Sequence, residues 1–234
     1  MDLGPRLIPP LPPGSPWAGF ALPDIKHCED NLAGWIAAPS NTWSNLAYIV
    51  VAFWLWKKLK EGDPSTLRAF IPVTVFVGLT SFLFHASFTF VFQFFDYLGM
   101  FFYVLLLLVL NLRRLGWVTG DWKPAYFAGV AASVGAILLF RRFALPVQWL
   151  IVIQAAAVLL AEGVLWFRSQ GRDYGHLWAG LALMTAAEVF WLLDYRRILC
   201  DPGDHFFQAH AAWHVISALS FVSVFNFYRK KLVR

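Results

Sequence analysis

The chain has 234 residues, of which 59% are hydrophobic and 14% are charged, and its formal net charge is +5. A soluble domain usually has about 25% charged residues, and one soluble domain of this length could not bury so much apolar surface. The composition therefore excludes an ordinary soluble enzyme, a disordered chain and a small disulfide scaffold. Because the basic residues lie at the ends of apolar runs and form no continuous patch, the charge does not indicate nucleic-acid binding.

The chain begins with a proline-rich arm, residues 1–40, which has no pattern typical of a signal peptide. Seven apolar segments follow, each near the length of about 20 residues that a transmembrane helix needs. They cover residues 41–56, 69–90, 94–112, 124–140, 145–167, 176–195 and 207–228. The links are short, so the sequence predicts an all-α membrane protein with a seven-helix domain at 41–228. A basic tail, residues 229–234, ends the chain.

The distribution of Lys and Arg predicts the orientation of the bundle. Seven spans place the two ends of the chain on opposite sides, and 13 of the 19 Lys and Arg residues fall on the side of the C-terminus. The positive-inside rule then places the N-terminus outside and the C-terminus in the cytoplasm. Cys28 and Cys200 both lie on the outer side, where an oxidising compartment permits a disulfide. They could also be two unrelated thiols.

Ionisable residues at membrane depth indicate a functional site. The topology brings His85, Asp96, His210 and His214 to one depth near the outer face. His210 and His214 are four residues apart and share one helix face, a spacing that suits two imidazoles binding one metal. His85 would complete the three protein ligands of a catalytic zinc site, in which a water takes the fourth position. Asp96 could hydrogen-bond that water or orient an imidazole. The alternative is that these histidines are satisfied core residues.

The other polar residues in the spans are less informative. Glu162 has no evident partner, and we expect a buried protonated acid that is hydrogen-bonded within the bundle. Asp194 lies near the outer end of the sixth span, where it could support the site or pair with Arg196 or Arg197. The remaining histidines are expected in loops or interfaces; they are His27, His176 and His205.

Several short motifs, in order along the chain, resemble those of the alkaline ceramidases. They are Cys28-Glu29-Asp30-Asn31, Asn41-Thr42-Trp43-Ser44-Asn45, Ser81-Phe-Leu-Phe-His85 with Gln93-Phe-Phe-Asp96, Phe190-Trp191-Leu192-Leu193-Asp194 followed by Cys200, and His210-Ala-Ala-Trp-His214. The serine, aspartate and three histidines are shared by a superfamily of seven-helix hydrolases that includes adiponectin-type receptors and GPI-anchor remodelling proteins. The first and fourth motifs favour the ceramidase branch.

The resemblance implies a role for each of these residues. His85, His210 and His214 would bind zinc. Asp96 would hold and deprotonate the metal-bound water, and Ser81 would help to stabilise the oxyanion. It also implies that Cys28 and Cys200 form the disulfide of the family.

A calcium site that the resemblance implies in the arm is only partly matched. Glu29 and Asn31 agree with the family pattern. Other positions hold different residues, namely Lys26, His27 and Ala38. Because Ca²⁺ takes six to eight oxygen ligands and a lysine repels it, we expect a vestigial site that binds calcium weakly or not at all. Asp24 and Asp30 could compensate.

Together these features predict a zinc-dependent intramembrane hydrolase that cleaves the amide of ceramide-like sphingolipids. The alternative is an adiponectin-receptor-like protein that acts as a receptor or on another lipid amide or ester. A transporter that uses Glu162 and Glu188 should show repeats or broken helices in matching halves, and the sequence shows neither. The partners expected are the bilayer and a lipid substrate, in the plasma (inner) membrane of a bacterium or the ER or Golgi membrane of a eukaryote. The residues leave the acyl chain and the oligomeric state open.

Overall fold

The structure, a computed structural model, describes residues 8–233, and in this range the chain forms nine α-helices and no β-strand. The predicted all-α class is confirmed. Residues 1–7 of the arm and Arg234 of the tail lie outside the described residues. In chain order the helices are α1 (Pro39–Trp43), α2 (Leu46–Lys58), α3 (Ser65–Arg68), α4 (Phe70–Ser87), α5 (Phe90–Arg114), α6 (Lys123–Arg142), α7 (Gln148–Arg168), α8 (Gly175–Tyr195) and α9 (Ala209–Leu232).

Six stretches of helix in the described part of the chain are long and apolar enough to cross a membrane. They are α4 with the short α3 before it, and α5 to α9. They coincide with the second to seventh predicted spans, which supports a multi-pass membrane protein. The first span differs, because α2 has 13 residues and rises only about 20 Å, less than the core thickness of about 30 Å. A seventh span therefore remains a prediction.

Polar side chains interrupt the first span between α1 and α2. The Ser44 hydroxyl donates a hydrogen bond to the Asn41 carbonyl oxygen at 3.0 Å, and the Asn45 amide donates to the same oxygen at 2.8 Å. Short polar side chains that bond the nearby backbone compete with regular helix geometry. The helix therefore breaks at Ser44 and Asn45, and the Ser44 side chain is available to α9.

The core of the bundle lies where α9 packs against α8 and α2, and α4 packs against α2 and α5. Tyr103 of α5 and Phe221 of α9 stack with ring centroids 3.5 Å apart. At Gly78 of α4, an added Cβ would lie 2.8 Å from the Cβ of Tyr48, so glycine is what allows α2 and α4 to approach. The outer faces carry exposed apolar side chains such as Leu160 and Phe167, as expected for helices whose solvent is lipid.

The arm is fastened across the end of the bundle where α4 ends and α9 begins. The disulfide between Cys28 and Cys200 is present, as predicted. Beside it, the backbone amide of Asp30 donates to the carbonyl oxygen of Pro202 at 2.9 Å. The amide of Ala38 donates to the carbonyl oxygen of His85 at 3.2 Å. These contacts bring arm residues to the depth of the candidate site.

The expectation for Glu162 was right in part, since it is buried and hydrogen-bonded within the bundle, but it has an ionic partner. Its carboxylate pairs with the Arg114 guanidinium at 2.5 Å and accepts a hydrogen bond from the Tyr174 hydroxyl at 2.7 Å. Arg114 is the last residue of α5, and its long side chain reaches back to α7. This pair lies apart from the histidines and gives no support to a proton path.

Candidate metal centre and active site

The three histidines that the sequence singled out come together in the structure. His85 lies near the end of α4, and His210 and His214 lie in the first two turns of α9, all of them buried. The Nε2 atoms of His85 and His210 are 3.2 Å apart. The ring centroids of His214 lie 4.9 Å from His85 and 4.5 Å from His210, and those of His85 and His210 lie 5.0 Å apart.

This arrangement suits a divalent metal ion that imidazole binds well. Two nitrogens at zinc–nitrogen distances of about 2.0–2.1 Å on a tetrahedral ion are about 3.3 Å apart, and their ring centroids are about 5 Å apart. The three histidines have separations close to these values. Their rings are also inclined to one another by 55° to 69°, so in-plane lone pairs can converge on one point. The donor set is typical of zinc and other first-row metals.

A fourth imidazole, from His27 of the arm, lies beside these three. Its ligand atom and those of His85 and His210 all lie within 4.8 Å of one another, so these buried residues could also hold a metal ion. However, the His27 ring stacks on the His210 ring at a centroid distance of 3.5 Å and an angle of 15°. Two stacked, parallel imidazoles cannot both direct in-plane lone pairs at one ion. The geometry therefore favours ligation by the three helix histidines, with His27 packed against them.

Asp194 contacts His27 and the arm backbone. The Nδ1 atom of His27 donates to Asp194 Oδ2 at 3.1 Å, and the Cys28 amide donates to the same oxygen at 3.2 Å. Asp194 is fully buried. Neither arginine considered from the sequence is its partner, since Arg197 donates to the Cys28 carbonyl oxygen at 2.9 Å instead. No role at the site was predicted for His27, although its place next to Cys28 was a signal once Cys28 was expected to pair with Cys200.

Two serines flank His214. The Ser44 hydroxyl lies 2.8 Å from Nδ1 of His214, and the Ser81 hydroxyl lies 3.4 Å from Nε2. A partner on Nδ1 fixes the tautomer of a metal-binding histidine and leaves Nε2 for the ion. Ser81 also interacts with the half-buried carboxylate of Asp96. Ser44 was not assigned a role from the sequence, although the motif around Asn41 contains it.

A cavity of about 240 Å³ opens beside these residues. One part of its wall is polar and includes His27, Asp96, His210 and His214. The rest is mostly apolar or aromatic, and includes Val77, Met100, Tyr103, Ile151, Trp191 and Phe221. Such a wall suits a molecule with an apolar chain and polar groups at one end.

Glu29 of the arm has both carboxylate oxygens engaged. Oε1 accepts a hydrogen bond from the Ser40 amide at 2.8 Å, and Oε2 accepts one from the Asn41 amide at 2.9 Å. These amides belong to the first turn of α1, whose amides lack partners within the helix. His205 also contacts Oε1 at 3.0 Å. Glu29 therefore ties the arm to the start of the helical domain.

Lys26 contacts the oxygens that the sequence had associated with calcium. Its ammonium group donates to the Glu29 carbonyl oxygen and, at 3.1 Å, to Asn31 Oδ1. It also lies 5.1 Å from the centroid of the Phe88 ring. Burial lowers the pKa of Lys26 to about 8, and Asp30 opposes this shift. The group remains mostly protonated at pH 7, so a positive charge already occupies this cluster of oxygens.

Comparison with known proteins agrees with these features. The model of the ceramidase family matches residues 23–230. The chain is 24% identical over 215 residues to alkaline ceramidase 1 of Mus musculus, an alignment that covers 85% of this chain and 76% of the mouse protein. The matched range contains both cysteines, the four clustered histidines, Ser81 and Asp96. The chain belongs to the ceramidase family.

Proposed function

We propose that this protein is a zinc-dependent intramembrane amidohydrolase that cleaves ceramide-like sphingolipids to a fatty acid and a sphingoid base. The observation that carries the proposal is the group of three converging imidazoles at the polar end of an apolar cavity, with Asp96 in the same wall. Membership of the ceramidase family supports hydrolysis of ceramide. The name of the mouse relative supports an amide substrate.

The metal would be held by His85, His210 and His214. Ser44 supports this assignment, because its contact with Nδ1 of His214 leaves Nε2 free to bind the ion. When bound, zinc supplies a Lewis acid and lowers the pKa of a coordinated water from 15.7 to about 7. The apolar wall of the cavity limits access of bulk water to this end and keeps the local dielectric low, which strengthens each polar contact with the reacting groups.

Asp96 and Ser81 would carry the proton transfers and the stabilisation of charge. Asp96 takes a proton from the attacking water at a carboxylate oxygen and delivers it to the nitrogen of the leaving amine. The Ser81 hydroxyl donates a hydrogen bond to the oxygen that becomes negatively charged. Its contact with Asp96 and its position near His214, two residues that line the cavity, keep the hydroxyl next to the polar part of the wall.

The first experiment joins metal analysis of the purified protein to release of fatty acid from a fluorescent ceramide on the same sample. We expect stoichiometric zinc and release that a chelator abolishes. His85→Ala should lose both zinc and turnover. Full activity in His85→Ala would contradict the proposal, and zinc without release would favour another lipid substrate or a receptor.

Calcium is not expected to bind in the arm. The Lys26 ammonium donates to an oxygen of each residue that matched the family pattern, Glu29 and Asn31, and the carboxylate of Glu29 is taken up by α1. A divalent cation at this position would have to displace a buried charge of the same sign. A calcium titration monitored by thermal shift should show no saturable stabilisation at micromolar concentrations.

We also propose that the end of the bundle with the histidines faces the outside of a bacterial inner membrane or the lumen of the ER or Golgi. The Cys28–Cys200 bond is of the kind that forms in an oxidising compartment, and the excess of basic residues lies on the opposite side. An impermeant thiol reagent on intact cells or sealed vesicles should label Gly203→Cys and spare Arg172→Cys. Labelling of Arg172→Cys alone would reverse the orientation.

A further inference from the structure

The arm supplies part of the wall of the cavity. Ile25 and His27 both line it, together with His210 and Asp96 from the helices. His27 is held there by contacts on several sides: the disulfide at the next residue, the stack on His210 and the hydrogen bond to Asp194. A histidine fixed by three independent contacts at the polar end of a cavity has a defined orientation toward a bound molecule.

The hydrogen bond to Asp194 sets which nitrogen of His27 is available. Because a carboxylate accepts, Nδ1 carries the hydrogen and donates to Asp194 Oδ2 at 3.1 Å. In the neutral ring the second nitrogen, Nε2, then carries a lone pair. It has no hydrogen-bond partner among residues 8–233. A nearly buried imidazole, with a side chain 8% exposed, therefore offers one unused acceptor at the cavity.

The position of this acceptor relative to the metal ligands limits what it can bind. Because the His27 ring stacks on the His210 ring at 3.5 Å between centroids, the geometry disfavours binding of the same ion by His27 and His210. The stack nevertheless keeps His27 directly beside a metal ligand. In a ceramide, hydroxyl groups stand on the carbons next to the one that bears the amide nitrogen. With bonds of about 1.5 Å, such a hydroxyl lies about 3 to 5 Å from the scissile carbonyl carbon. When the carbonyl is bound at the metal-binding histidines, a hydroxyl at that distance can reach an acceptor beside them, such as Nε2 of His27.

We propose that His27, oriented by Asp194, accepts a hydrogen bond through Nε2 from a hydroxyl of the sphingoid headgroup and so selects hydroxylated lipid amides. This inference rests on the proposed function, since it takes the substrate to be a ceramide-like amide bound with its carbonyl at the histidines. It makes the arm a part of the substrate site. His27 would be a specificity-determining residue in direct contact with the substrate.

The test compares binding of an N-acyl sphingoid base with binding of its 1-deoxy and 3-deoxy counterparts. Equilibrium dissociation constants are measured in lipid nanodiscs on the full chain that carries Asp96→Asn, so that the lipid is not hydrolysed. With His27 present, we expect one deoxy lipid to bind about tenfold more weakly than the hydroxylated lipid, the value of one net hydrogen bond. His27→Phe keeps an aromatic ring against His210 and should reduce this difference to less than twofold.

Two further variants separate the hydrogen bond from a change in folding. His27→Gln extends an amide to the position of Nε2 and should restore part of the discrimination. His27→Asn reaches Asp194 but not the position of Nε2, and should resemble His27→Phe. The metal content of all three should equal that of the parent. Loss of metal in all three would instead make His27 a ligand and overturn the inference.

Other outcomes distinguish this inference from the proposed function. The inference would be overturned if the preference for the hydroxylated lipid were unchanged in His27→Phe and His27→Asn, or were absent in the parent. If the unmodified protein still releases fatty acid from ceramide, the proposed function stands. A preference that depends on His27, in a protein whose unmodified form releases no fatty acid, would keep the inference and overturn the proposed hydrolysis.

Discussion

His85 Nε2 and His210 Nε2 lie 3.2 Å apart although 125 positions separate the two residues in the sequence. One is near the end of α4 and the other begins α9, so two chain segments that run in opposite directions meet at one end of the bundle. The two Nε2 atoms lie within hydrogen-bonding distance of each other, whereas the buried Nδ1 atom of His210 has no partner in the described part of the chain.

We predict that His210→Ala loses the bound metal. Removal of one of three ligands leaves two imidazoles, which hold a divalent ion far more weakly. His176→Ala is the matched control, because His176 lies at the start of α8, is exposed and is absent from the cluster. Elemental analysis after gel filtration should give stoichiometric metal in the control and less than a tenth of it in His210→Ala. Equal metal in the two variants would contradict the assigned centre.

We predict that Ser81→Ala keeps its metal and slows turnover. Ser81 is not a ligand in the proposed centre, and its loss removes one donor to the developing negative charge. One such donor accounts for about 10²- to 10³-fold in kcat. The check is kcat on a fluorescent ceramide, measured with metal content on the same preparation. A loss of metal that parallels the loss of activity would show that Ser81 acts on the histidines rather than on the substrate.

We predict that Lys26 makes stability rise with pH above 8. Burial lowers the pKa of folded Lys26 to about 8 from the ordinary value of 10.5. Between these values the unfolded chain binds more protons than the folded one, so stability increases as pH rises. The cost of the buried charge is fully present below pH 8 and disappears toward pH 10.5, a change of about 3 kcal/mol. Thermal unfolding from pH 7.5 to 10 should show this rise, and Lys26→Met should lack it.

We predict that reduction of the Cys28–Cys200 bond destabilises the protein and exposes the metal centre. The bond joins residues 172 positions apart, and removal of a native disulfide from a small secreted domain costs about 2 to 5 kcal/mol. The arm that carries His27 would also lose its anchor. Reductant should lower the melting temperature and speed removal of the metal by a chelator. Cys28→Ser with Cys200→Ser should behave like the reduced protein and show no response to reductant.

We predict that Gly78→Ala is more harmful than Gly135→Ala. A Cβ at Gly78 would lie 2.8 Å from the Cβ of Tyr48, whereas one at Gly135 meets nothing within 4 Å. Forcing apart two closely packed helices costs about 1 to 3 kcal/mol. The melting temperatures of the two variants should therefore differ, with Gly135→Ala close to the parent. Similar values would mean that α2 and α4 can separate without loss of stability.

The helical membrane class, six candidate spans and the meeting of the histidines at one end of the bundle could be predicted from the sequence alone. A transmembrane helix can be recognised from an apolar run of about 20 residues, because all of its backbone hydrogen bonds form within that one segment. The alternation of spans then placed His85, His210 and His214 at one end, and the family motifs indicated the Cys28–Cys200 bond. None of these conclusions required the packing angle between helices.

Contacts between distant segments decided the rest, because they depend on side-chain reach and on how helices pack. The pairing of Glu162 with Arg114 joins α5 to α7, and no local sequence pattern predicts it. The stack of His27 on His210 arises because the arm folds back over α9. Lys26 contacts Asn31 only because the arm turns sharply between them. The sequence contains the chemical groups, and the tertiary structure determines which of them meet.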